Sequence, residues 1–278
     1  MPTDNGPDPR SGADATATFI GNATVLLRLG AFTLLTDPNF LHAGERAYLG
    51  YGMWSRRRLD PALEIGQLPP LDGVVLSHLH GDHFDRVARR GLPKTLPIAT
   101  TSQARRRLRR WQFTEAVGLQ TWHNVVWQRG RDIVRVTAVP AQHGPAGVHR
   151  ALPETMGTII DWERDGERLL RLYQSGDTTY HPRKLHEIPQ RFPDVDVALI
   201  HLGATRILGL LLTMNGRQGV ALSKLIRPRG ILPVHYDDYP VMKEPLARFV
   251  DLARAEHLPV RTLQRGETID LAAVARAV

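Results

Sequence analysis

Four stretches of β-forming residues in this chain close on a histidine or an aspartate, and no other feature restricts the possible fold as much. Residues 73–76 run straight into Ser77-His78-Leu79-His80-Gly81-Asp82-His83. Residues 133–139 stop just short of Gln142-His143-Gly144, residues 168–174 deliver Ser175-Gly176-Asp177, and residues 230–234 deliver His235. A strand end is a rigid place from which to present a side chain, so a fold that gathers these ends collects imidazoles and carboxylates in one place.

The first stretch is the densest, with three imidazoles and a carboxylate in six residues. His78 and His80, two apart at the end of a strand, project to one side and can chelate one cation, while Leu79 faces away. The chain is then expected to turn into a helix over residues 82–90, which displaces Asp82 and His83 by about a turn. They could hold a second cation nearby, since two-metal sites are separated by roughly 3.5–4 Å. There is no cysteine, so thiolate ligands and disulfides are excluded and any metal sits among nitrogen and oxygen donors. Zinc is the first choice for such a set and manganese the second.

The remaining pattern sets the architecture. Residues 19–20, 24–29 and 32–35 are short β-rich runs separated by Gly21-Asn22 and Gly30-Ala31, which reads as an antiparallel meander. A helix is expected over 102–111, strands over 120–127 and 133–139, and a hairpin of 158–162 with 168–174 around Arg164-Asp165-Gly166. A buried-type strand at 195–200, helices at 218–226 and 244–255, and the strand 230–234 complete the chain. Each half opens with antiparallel strands and finishes with strand-helix units, so the expected fold is α/β, two sheets face to face with helices outside, a four-layer αβ/βα sandwich. The apolar content of 42% suits one large domain, taken as residues 16–278 behind a loose tail of residues 1–15. The tail carries neither a basic leader nor an apolar run, and the most apolar stretch, 207–214, is broken by Gly209 and far shorter than the roughly 20 residues of a membrane span. A cytoplasmic protein without a membrane span is expected.

With His78-Leu79-His80-Gly81-Asp82-His83 on the page, the chain resembles the metallo-β-lactamase superfamily, whose hallmark is His-x-His-x-Asp-His followed by a distant His, a bridging Asp and a final His. His143, Asp177 and His235 match those three in order. The resemblance implies that His78, His80 and His143 bind one metal, that Asp82, His83 and His235 bind a second, and that Asp177 bridges them. It also implies the αβ/βα fold and hydrolysis by a metal-activated water, with Asp82 or Asp177 orienting the water and moving its proton. Local phrases are similar to the branch of ascorbate-6-phosphate lactonases and N-acyl-phosphatidylethanolamine phospholipases D. They include Gly21-Asn22-Ala23-Thr24-Val25, Leu34-Leu35-Thr36-Asp37-Pro38 and Gly176-Asp177-Thr178-Thr179-Tyr180. The expected substrate is therefore a small lactone or phosphodiester.

Further candidates surround this set. Tyr180, at a spacing from Asp177 similar to that of N-acyl homoserine lactonases, could donate its hydroxyl to a developing oxyanion, or could be a packing residue beside His181. Asp37 forms an Asx turn before Pro38 or backs a metal-bound histidine. His201 could face the site from its strand end. Asp237 and Asp238 orient His235 or cap a turn. His42, His123, His149, His186 and His257 read as surface or packing residues. The net charge is +8, and only Lys94, Lys184, Lys224 and Lys243 among the 36 Lys and Arg residues are lysines. The clusters Arg56-Arg57-Arg58 and Arg105-Arg106-Arg107 with Arg109-Arg110 are expected to be solvated surface with no part in the reaction. A nuclease would use them against phosphates, and this alternative, like a non-catalytic metal-binding protein, ranks below the small-molecule hydrolase. The oligomeric state is not legible.

Overall fold

The computed structural model describes residues 14–145, 147 and 152–276. The antiparallel meander consists of β1 (Ala15–Gly21), β2 (Thr24–Leu29) and β3 (Phe32–Thr36). A small hairpin follows, β4 (Arg46–Tyr48) with β5 (Trp54–Arg56). Then come β6 (Gly73–Val75), α1 (Arg86–Gly91), β7 (Ile98–Thr101), α2 (Ser102–Arg110) and β8 (Ala116–Leu119). The second half repeats the plan with β9 (Asn124–Arg129), β10 (Asp132–Val139), β11 (Gly157–Arg164) and β12 (Glu167–Gln174). After α3 (Pro182–Leu185) and α4 (Glu187–Arg191) run β13 (Val197–His201), a two-residue hairpin pair β14 (Arg206–Ile207) and β15 (Leu210–Leu211), α5 (Gly216–Ile226) and β16 (Gly230–Val234). The chain closes with α6 (Leu246–Ala255), β17 (Thr268–Asp270) and α7 (Leu271–Arg276).

Two large sheets result, ordered β17-β1-β2-β3-β6-β7-β8 and β16-β13-β12-β11-β10-β9. In each, antiparallel pairing gives way to parallel pairing, from β3 to β8 in the first and from β12 to β16 in the second. Period-two alternation explains the layers. On β2, Val25, Leu27 and Leu29 join Val134, Val136, Leu172 and Leu199 in the core between the sheets. Leu26, Leu35, Val74 and Ile98 face the other way, against Ala88 of α1 and Leu108 of α2. Ala198, Ile200 and Ile231 face Val220 of α5 and Phe249 of α6. Helix, sheet, sheet, helix is the expected four-layer sandwich.

The expected hairpin turn is present: Asp165 and Gly166, both with positive φ (53° and 84°), link β11 to β12, the backbone sense that matches strand twist. Other expectations need correction. Residues 82–85 do not belong to a helix, because α1 begins only at Arg86, where the Asp85 carboxylate caps it by accepting from the Ala88 N–H (2.8 Å). The strand expected at 120–127 starts at Asn124, since Trp122 takes a left-handed conformation (φ 73°) in a turn. The β4–β5 and β14–β15 hairpins, within residues 41–60 and 201–217, have no counterpart among the expected elements. Among the described residues no helix is long and apolar enough to cross a membrane.

Candidate metal centre

The parallel strands of both sheets release their C-terminal ends at one edge, where open α/β sheets bind ligands. Asp37 follows β3 directly, and His78 lies three residues beyond β6. Asp177 lies three residues beyond β12, His201 is the last residue of β13, and His235 follows β16. Asp82, His83 and His143 come from the connecting turns. All of these side chains are buried, His80 being the most accessible of them at 9%.

The ligand atoms of His78, His80 and His143 lie within 4.8 Å of one another, and so do those of Asp82, His83 and His235. A third group, His78, His83 and Asp177, overlaps both, so Asp177 stands where the two trios meet. His78 Nε2 is 3.0 Å from His80 Nδ1, His83 Nε2 is 3.3 Å from Asp177 Oδ2, and His235 Nε2 is 3.5 Å from Asp82 Oδ2. Two donors bound to one tetrahedral zinc at about 2.0–2.1 Å are roughly 3.3 Å apart, so these separations suit a shared cation. His83 Nε2, Asp82 Oδ1 and Asp177 Oδ1 are buried without any hydrogen-bond partner. Such atoms are costly unless a ligand satisfies them, and this donor set of imidazoles and carboxylates fits a divalent metal.

Electrostatics divide the set. Burial, reinforced by neighbouring imidazoles, pushes His78 well below the ordinary imidazole range and His80 down to about 3, and burial also lowers His143. These rings are neutral, as metal ligands must be. Burial would lower His83 too, but Asp177, Asp82 and Asp37 outweigh it and raise His83 well above its usual value. His235 is raised as well, because Asp177 and Asp82 overcome its burial. The carboxylates of Asp82 and Asp177 are lowered despite burial, chiefly by His83 and His235. This half of the centre selects for positive charge, which a cation supplies.

Behind the ligands lies a hydrogen-bonded frame. Asp37 accepts from the Ser77 N–H (2.7 Å) and from Gln174 Nε2 (2.8 Å), and it faces His83 Nδ1 and His201 Nε2, each at 3.3 Å. Burial raises its pKa, yet the two histidines hold it down at about 2. Asp37 therefore backs His83 and leaves the opposite ring nitrogen free for a metal. His201 is committed on both sides, to Asp37 and to Ser175 Oγ (3.2 Å), and its ring stacks 6.0 Å from that of His83. Although Asp37, His83 and His201 are close enough to hold an ion, these contacts already satisfy them as a hydrogen-bonded trio. His143 Nδ1 is set by the Leu212 carbonyl (3.0 Å). Gly176 has φ +59°, and a Cβ there would lie 2.5 Å from the Met156 carbonyl, so only glycine lets the chain place Asp177.

One residue absent from the sequence candidates ties the second trio together. Asn22 donates from Nδ2 to the Asp82 carbonyl (2.6 Å), accepts the His235 N–H on its own carbonyl (2.8 Å), and donates its N–H to Asp238 (2.7 Å). His235 needs that support because it holds φ +60°, uncommon for a histidine. The signal in sequence is the Gly21-Asn22 turn itself, which does not disclose its distant partners. The Asp238 carboxylate pairs with Arg57 (2.9 Å) and Arg265 (2.6 Å). Asp237 meets Arg265 (2.9 Å). The arginine triplet is thus corrected: Arg56 and Arg58 are exposed, but Arg57 is wholly buried, because its guanidinium also reaches the Asn39 and Leu41 carbonyls.

Tyr180 is half-buried with its ring against the apolar cluster beneath the second sheet, and its N–H donates to Gln218 (3.4 Å). His42, His123, His186 and His257 are exposed as expected, and His149 lies outside the described residues.

Comparison with known proteins places these features in context. The family described as "Beta-lactamase superfamily domain" matches residues 34–236. A Caenorhabditis elegans protein named N-acyl-phosphatidylethanolamine-hydrolyzing phospholipase D 1 is 26% identical over 81% of this chain, which spans only 64% of that relative's length. A metal-dependent hydrolase of Pyrococcus furiosus is 26% identical over 91% of this chain and 98% of its own. In three dimensions, "a possible metal-dependent hydrolase" from Veillonella parvula superposes with a TM-score of 0.77 at 22% identity, covering 93% of this chain and all of the other. An isothiocyanate hydrolase from Delia radicum gut bacteria gives 0.76 at 19% identity, over 91% and 98%. At these identities the structural likeness speaks for the fold alone.

Proposed function

This chain belongs to the metallo-β-lactamase superfamily and is a metal-dependent hydrolase, and from the geometry of its centre we propose that it holds two divalent cations and hydrolyses a small ester-like substrate, a lactone or a phosphodiester. The observation that carries the reading is the pair of buried donor trios with Asp177 between them. His78, His80 and His143 would hold one cation, Asp82, His83 and His235 the other, and Asp177 would contact both. Zinc is the first candidate and manganese the second. When bound, such ions activate water and polarise the electrophile.

The chain's own residues supply the rest. The buried carboxylates of Asp82 and Asp177 each keep an oxygen without a hydrogen-bond partner, which makes them the acceptors for the proton of the attacking water and its donors to the leaving alkoxide. Tyr180, three residues past Asp177, is proposed as a hydroxyl donor to the developing oxyanion. The phospholipase D name of one relative supports a phosphodiester among the substrates. The partner is a small molecule rather than nucleic acid.

Metal analysis of purified protein after loading, joined to a hydrolysis screen over lactones, phosphodiesters, single-stranded DNA and β-lactams, tests the reading. Close to two ions per chain are expected, with fewer in His80→Ala and Asp177→Ala, and turnover of a lactone or phosphodiester that chelation abolishes and metal restores. A stoichiometry at or below one, or turnover that survives chelation, would overturn it.

A further inference from the structure

Beside the metal centre is a cavity of about 400 Å³, walled by the β4–β5 hairpin, by α1 and by α2. It falls in the size range of small-molecule sites. His80 and Gly81 form part of its wall, so it adjoins the ligand residues directly. Among the described residues four arginines line it: Arg46, Arg86, Arg89 and Arg107. Their charge is poorly answered. Arg86 pairs with Glu45, but no carboxylate stands at ion-pair distance from Arg46, Arg89 or Arg107 among the described residues. Asp85, the one acid in the wall among the described residues, spends its oxygens on the N–H groups of Phe40, Leu41 and Ala88.

Two of the cationic heads lie over one aromatic ring. Arg89 lies 4.4 Å and Arg107 5.6 Å from the centroid of Trp111, which also lines the cavity. Opposite, Tyr48 and Trp54 pack with ring centroids 4.9 Å apart and remain 44% and 59% exposed. One more polar group belongs here. His80 Nε2 is buried with no partner, and it lies on the side of Gly50, which also lines the cavity (a Cβ there would stand 3.8 Å away). Unpaired guanidinium groups, exposed rings and an unused imidazole nitrogen surround one small space.

We propose that this cavity binds an oxyanion group, a carboxylate or a phosphate, on a small substrate with an apolar portion. Arg89 and Arg107 take the anion, Tyr48, Trp54 and Trp111 cover the apolar part, and the adjoining bond reaches the metal centre past His80. The assignment deepens the ester-hydrolase reading by naming the class of ester, and rests on that reading for its catalytic consequence. It also gives Arg107, one of the cluster expected to be solvent-facing only, a place at the site. Arginine suits it, because its planar fork matches carboxylate and phosphate oxygens and stacks on rings.

The test is tryptophan fluorescence of the metal-loaded protein titrated with phenyl phosphate, with benzoate, and with benzyl alcohol as the neutral counterpart. Saturable binding is expected for at least one anion and not for the alcohol, and the anion that binds identifies the oxyanion. The double variant Arg89→Gln/Arg107→Gln should weaken that binding at least tenfold at unchanged metal content, while Arg90→Gln, on the same helix but outside the cavity, should not. Equal binding of the alcohol, undiminished binding by the double variant, or displacement of the anion by a single-stranded oligonucleotide at low micromolar concentration would overturn the proposal. The two readings fail separately. Anion binding that depends on Arg89 and Arg107 in a protein that cleaves no ester removes the hydrolytic reading alone. Equal KM for anionic and neutral esters in an active enzyme removes this one alone.

Discussion

Replacing Asp238 with asparagine takes one negative charge out of a wholly buried ion pair while keeping nearly the same shape. Asp238 Oδ1 accepts from Arg57 Nε at 2.9 Å with both side chains at 0% exposure, and Oδ2 accepts from the Asn22 N–H at 2.7 Å and from Arg265 at 2.6 Å. An amide offers one acceptor oxygen where the carboxylate offers two, so one of these donors must face an NH₂ group. Breaking a buried pair by neutralising one partner costs about 3–5 kcal/mol, because the other charge stays desolvated. For a chain of 278 residues, an unfolding entropy of roughly 2.1 cal/mol/K per residue turns that loss into a fall in Tm of about 5–9 °C. The effect should not stay local. Asn22 holds both the His235 N–H and the Asp82 carbonyl, so metal on the Asp82, His83 and His235 side should be lost first. Thermal unfolding in the presence of chelator isolates the ion pair from metal linkage, and metal analysis after loading reads the second effect. A double variant Arg57→Met/Asp238→Asn should be less destabilised than the sum of the singles by more than about 1 kcal/mol. A fall in Tm below about 2 °C in the metal-free protein would refute the reasoning, since it corresponds to only about 1 kcal/mol at this size.

Two further outcomes follow from the centre. Asp37→Asn leaves His83 and His201 without their carboxylate, and metal affinity measured by competition with a chromophoric chelator should fall about 10–100-fold; an unchanged affinity would make Asp37 a turn-former only. Tyr180→Phe keeps the ring and removes the hydroxyl, so turnover on the best substrate should drop roughly 10 to 10³-fold with metal content unchanged. Unaltered turnover would assign Tyr180 to packing on its apolar cluster.

That His78, Asp177 and His235 stand just beyond strand ends is legible in the chain, because strand ends are local properties of sequence, whereas the grouping of all seven donors, with Asp82, His83 and His143 on connecting turns, comes from the resemblance to the metallo-β-lactamase superfamily. The β11–β12 turn is legible for a similar reason, since Asp165-Gly166 carries its positive φ values within two residues. The early helix over 82–85 misleads because the competing contact is remote: the Gly81 N–H bonds to the Tyr48 carbonyl (2.9 Å), and a Cβ on Gly81 would stand 2.7 Å from that backbone. The ligand turn is held against the β4–β5 hairpin, and the helix waits for Asp85. Edge strand β8, Ala-Val-Gly-Leu, is illegible for a different reason, as parallel pairing with β7 holds a segment with little strand character of its own.

Sequence by itself determined the kind of chemistry, through a donor set without sulfur, and the order of elements that carries it. Only the tertiary structure decided that Asp37 backs His83, that His201 is tied up behind the centre, and that Arg57 is buried while its neighbours Arg56 and Arg58 are exposed. It also decided that Arg107 faces a cavity beside His80. The physical reason is separation along the chain. Asn22 meets Asp238 across 216 positions, and Asp37 meets His201 across 164. Which oxygen faces which nitrogen over such distances is set by how two sheets close on one another, and no periodicity or spacing within either segment encodes it.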